Sequence, residues 1–117
     1  CHPTKGERYL DFCKRMFDSM EKTIHHFREH WLKDSEALPT AEKTIARFRE
    51  EKQFDHICEG MIIIFKNDPS IRHDLPSHVT AEAVSKFTLR NIIAELRCEQ
   101  PDCSLLFTML ERTLYEQ

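Results

Sequence analysis

The sequence predicts an all-α protein, a bundle of four or five helices in one domain spanning residues 1–117, and three observations carry that reading. Apolar residues recur three and four apart through every periodic segment and nowhere alternate by two. Valine occurs only at Val79 and Val84, so β-branched runs are scarce. Glycine occurs only at Gly6 and Gly60, which leaves no supply of hairpin turns. A chain of 117 residues suffices for one hydrophobic core and not for two.

The first helix is expected within residues 6–32, where Leu10, Cys13, Phe17, Met20, Ile24, Phe27 and Trp31 form an unbroken apolar stripe. Lys14, Arg15, Asp18, Glu21, Lys22 and Arg28 fall on the other faces and read as its solvated side. Pro39 breaks the chain and Thr40 is a fair N-cap, after which Ile45 and Phe48 open a new stripe. Continuing that stripe lands on Lys52 and Asp55, whereas Phe54, Ile57, Cys58, Met61, Ile62 and Phe65 follow a different phase. A break is therefore expected within residues 50–53, separating a short second helix from a longer third. Ile62, Ile63 and Ile64 cover most of a helical circumference, so the third helix is expected to be the most buried.

Pro69 and Pro76 end that helix and place the longest loop over residues 67–78. Thr80 should cap a further helix that buries Val84, Phe87, Leu89, Ile92, Ile93 and Leu96. After Pro101 the stripe Cys103, Phe107, Leu110 and Leu114, with Leu106 and Met109 beside it, marks the last one.

Charge and motifs narrow the function by exclusion. Seventeen Lys and Arg against 20 Asp and Glu give a net charge of -3, too near neutral for a polyanion binder, so nucleic acid is not an expected partner. The longest apolar run, residues 61–65, is too short to cross a bilayer, and no membrane partner is expected. There is no Gly-rich phosphate loop and no G-x-S-x-G elbow, and no cofactor is expected. His26-Phe27-Arg28-Glu29-His30 does fit H-x-x-E-H, in which two histidines one turn apart bind zinc. In a chain with seven histidines the spacing is better explained by chance, and neither a metal site nor catalysis is expected.

Five cysteines, at positions 1, 13, 58, 98 and 103, occur without C-x-x-C pairs, and this density points to a disulfide framework in an oxidising compartment. The start at Cys1 fits a mature secreted chain. With the first and third helices antiparallel, Cys13 and Cys58 come level, so the expected bridges are Cys13 with Cys58 and Cys98 with Cys103, leaving Cys1 unpaired. Cys13, Cys58 and Cys103 also lie in apolar stripes, where a thiol stays protonated and inert.

In format, a bridge-bearing helical chain of this size opening on Cys1, the sequence resembles short secreted helical cytokines and the small helical salivary proteins of blood-feeding arthropods. The resemblance covers the whole chain without a shared motif and transfers no functional residue. It implies a secreted, non-catalytic protein that binds another extracellular protein, with inhibition of a host complement or clotting factor as the specific expectation. A cytokine-like receptor ligand and an intracellular helical interaction domain are the alternatives. A small apolar ligand is the weaker one, because it needs an internal cavity. The expected contact residues are Ile71, Arg72, Leu75 and Pro76 in the loop, with Arg90 and Asn91 on the following helix.

Overall fold

The computed structural model describes residues 6–30, 43, 45–47 and 50–116, the side chains of residues 26–30 excepted. These residues form helices and loops, with no strand among them. The helices are α1 (Tyr9–His30), α2 (Glu51–Lys66), α3 (Ala81–Leu96) and α4 (Ser104–Leu114). Lys43 and residues 45–47 are also helical, and Ile45 is buried in the core. The expected second-helix cap, Thr40, and the stripe residues Trp31 and Phe48 lie outside what is described, as does the side chain of Phe27.

The expected break falls at Glu50, whose backbone is extended at φ -62° and ψ 133° immediately before α2. Helical bonds reach Glu50 from one side, its N–H donating to the Ala46 carbonyl at 3.1 Å, and restart beyond it from its own carbonyl to Phe54 N–H at 2.8 Å. Thr80 caps α3 as expected, its hydroxyl oxygen accepting from Ala83 N–H at 3.1 Å. Ahead of α4, Asp102 Oδ1 accepts from Ser104 N–H at 2.9 Å.

α1 packs against all three other helices, and α2 and α3 form the closest pair. α2 and α3 run antiparallel: Lys66 at the end of α2 pairs with Glu82 at the start of α3, while Phe54 near the start of α2 lies under Arg90. α1 and α2 are antiparallel too, because the Tyr9 ring meets the Phe65 ring edge-on at 5.1 Å. The core is one cluster built chiefly from α1 (Leu10, Cys13, Phe17, Met20, Ile24, and also Tyr9, Phe12 and Met16) and α3 (Val84, Leu89, Ile92, Ile93, Leu96). Its stripe on α1 is wider than the three-and-four spacing alone indicates, because α1 is flanked on several sides.

Two burial expectations are corrected. α2 buries only Cys58, Met61 and Ile64, and Ile63 is 59% exposed. Three consecutive residues fan over about 200° of a helix, wider than the side of α2 that carries the buried Cys58, Met61 and Ile64, so one of the three isoleucines faces out. Phe87 is 52% exposed rather than buried, since α3 and α4 do not pack along their lengths.

The expected bridges are corrected as well: no disulfide joins any two of the described cysteines. Register explains the first pair. With Tyr9 opposite Phe65, Cys13 comes level with Met61 and misses Cys58 by three residues, about 4.5 Å along the axis, and this offset adds to the lateral separation of about 8–10 Å between packed helix axes, beyond the Cα–Cα reach of about 7 Å for a disulfide. In the second pair Cys103 is buried in the core and Cys98 faces solvent.

Candidate binding surfaces

Where the start of α1, the 67–80 loop and the C-terminal segment meet, Asp68 organises the base of the bundle. Oδ2 accepts from Tyr9 N–H at 2.9 Å and from the Tyr115 hydroxyl at 2.7 Å, and Oδ1 accepts from the Ser70 N–H at 2.9 Å and its hydroxyl at 2.5 Å. Tyr115 oxygen in turn accepts from Leu10 N–H at 3.1 Å. Two of the orphan N–H groups at the start of α1 are thus satisfied from the 67–80 loop and the C-terminal segment. Burial resists ionisation of Asp68, but the bonds from Ser70, Tyr9 and Tyr115 outweigh it and hold the carboxyl below the ordinary carboxylate range. Every acceptor position faces a protein donor, so this cluster is a fastening.

Three of the cysteines, Cys13, Cys58 and Cys103, are poor nucleophiles as well. Burial pushes the Cys13 thiol up to about 12, with the Tyr9 hydroxyl pulling the other way and Glu7 adding to the rise. Cys103 is also pushed up to about 12, by burial and then by the carboxylates of Glu95 and Asp102. Cys58 is raised by burial and by Asp55, against the opposing pull of Lys86 and Arg90. Such thiols stay protonated at neutral pH. Among the described residues no three His, Cys, Asp or Glu side chains cluster as metal ligands. The side chains of His26 and His30 lie outside the description, although the helix continues through both positions.

Two surfaces have the shape of contact sites. On the first, between α3 and α4, Phe87, Leu105 (74% exposed) and Met109 (52% exposed) stand in solvent. Leu105 and Met109 are one turn apart on α4, opposite the buried Leu110 and Leu114. Beside them a shallow cleft of about 210 Å³ opens between the helices, lined by Val79, Val84, Phe87, Met109 and Leu110. Water against exposed large apolar side chains is unfavourable, and an apolar cleft flanked by them is where a partner lowers the free energy by covering it.

The second is a groove of about 650 Å³ between the antiparallel helices α2 and α3. Phe54, Ile93 and Ala94 form its floor, Glu51 and Asp55 line the α2 side, and Lys86, Arg90 and Arg97 line the α3 side. The Arg90 guanidinium sits 5.8 Å from the Phe54 ring centroid, which steadies it at the groove centre.

The residues expected to make contact are divided by this geometry. Ile71 is 6% exposed and belongs to the core. Arg72 works as a staple: its guanidinium holds both Asp74 oxygens at 2.9 Å and the Glu116 carbonyl at 2.8 Å, and its N–H donates to the Leu114 carbonyl at 2.7 Å. Leu75 packs half-buried on the core and Pro76 is exposed. Arg90 lies in the α2–α3 groove, and exposed Asn91 donates from Nδ2 to the Phe87 carbonyl at 2.8 Å. The exposed trio on α3 and α4 was the part the sequence reading missed. Leu105 was its available signal, being a large apolar residue outside the stripe that the last helix buries. None of the described helices is long and apolar enough to cross a membrane. Comparison with protein-family models, with curated proteins and with solved structures finds no match to this chain.

Proposed function

We propose that this chain is a non-catalytic binding protein that acts by covering a surface on another protein, and that its contact site is the apolar face of Phe87, Leu105 and Met109. The observation that supports this most directly is that Phe87 and Met109, each half exposed, line one apolar cleft between α3 and α4, with the 74% exposed Leu105 one turn from Met109. A rigid helical frame lowers the ordering cost of association, which suits a blocker. The specific form carried from the resemblance in format is a secreted inhibitor of a complement or clotting factor. Titration of the purified protein into complement-lysis and plasma-clotting assays tests it. Inhibition of one cascade that is complete near equimolar protein and target is expected. No effect on either cascade, or an effect at strongly sub-stoichiometric amounts, would reject this form.

A second reading, an intracellular helical interaction domain, is favoured by the buried thiols at Cys13, Cys58 and Cys103. Intact mass before and after reduction separates the two: native protein that gains two mass units per bridge on reduction supports the extracellular form, and an unchanged mass supports the intracellular one.

A further inference from the structure

We propose that the α2–α3 groove is a second docking site, independent of the apolar face, and that its occupant is an amphipathic helix of a partner protein with one acidic and one basic edge. None of Phe87, Leu105 and Met109 lines this groove. Its walls are sorted by sign: Glu51 and Asp55 are one turn apart on α2, and Lys86 and Arg90 are one turn apart on α3, with Arg97 at the cap just past its end. All five are exposed, and among the described residues no ion pair joins one wall to the other. Both sets of charges thus stay open to solvent and to a third element laid between them. Between Lys86 and Arg97 the basic wall runs about 16 Å, or about three helical turns, and the floor of Phe54, Ile93 and Ala94 offers an apolar seat. A helix laid in the groove with its apolar stripe down would place acids along α3 and bases along α2. A helix turned end for end exchanges its edges, so the sorted walls also fix the direction in which it binds.

Three synthetic amphipathic helical peptides of about four turns, with one leucine stripe and with edges that are Glu and Lys, Glu on both, or Lys on both, test this against the full chain by fluorescence anisotropy. The split-edge peptide is expected to bind about tenfold more tightly than either uniform peptide, the effect of two or three exposed pairs, with the preference weakening at high salt. In E51K/D55K both walls are basic and the all-Glu peptide should become the tightest. In K86E/R90E both are acidic and the all-Lys peptide should. Circular dichroism verifies that each variant is folded. Equal affinity for the three peptides, absence of binding, or a ranking that neither charge reversal alters would overturn the proposal. So would a preference abolished by F87S/M109S, which would put the peptide on the other face.

Discussion

At the scale of single residues, Asp68 ties the start of α1 to the 67–80 loop and to Tyr115 through four hydrogen bonds to its two oxygens. Because the folded state holds its carboxyl below the ordinary value, the stabilisation is fully present above the unfolded pKa of about 3.9 and is lost as pH falls through the folded value. Asp68→Asn is expected to lower stability by about 2–3 kcal/mol at neutral pH, since it turns one acceptor into a donor facing other donors. The difference from the unsubstituted chain should shrink in urea titrations below about pH 4; a difference independent of pH would contradict this. Ile71→Ala should cost about 2–4 kcal/mol by the same measurement, the range for removing a buried large aliphatic side chain. An Ile71→Ala chain as stable as the original would return that residue to the surface.

At the scale of elements, Thr80→Ala should cost about 1 kcal/mol, because the Ala83 N–H loses its cap. Cys13, Cys58 and Cys103 should resist alkylation in the folded chain and react on denaturation. Rapid native labelling of any of the three would contradict their burial. The helices themselves were legible in the sequence because each has to bury a face, and burial imprints the three-and-four spacing on Leu10, Cys13, Phe17, Met20 and Ile24. The break at Glu50 and the cap at Thr80 were legible for the same local reason. Relations between helices were not. Whether Ile63 and Phe87 are covered depends on which neighbour lies alongside, and the Cys13–Cys58 register differs by three residues from an estimate that only helix ends could supply. The proposed contact face went unread for that reason: Phe87 has core spacing, and its exposure follows from how α3 and α4 stand apart.

For the molecule as a whole, the packing leaves two unlike surfaces on neighbouring flanks of α3, an apolar face toward α4 and a charge-sorted groove toward α2. The core cluster and the Asp68 fastening are satisfied internally, and these two surfaces carry the proposed action. The most direct test of that account is the inhibition titration repeated with Phe87→Ser/Met109→Ser. Both side chains are half exposed, so the melting temperature should move by only a few degrees, as for surface changes of about 0.5 kcal/mol, while inhibition falls at least tenfold through the loss of two apolar contacts. A double variant that inhibits as strongly as the original chain would contradict the assignment of this face as the contact site.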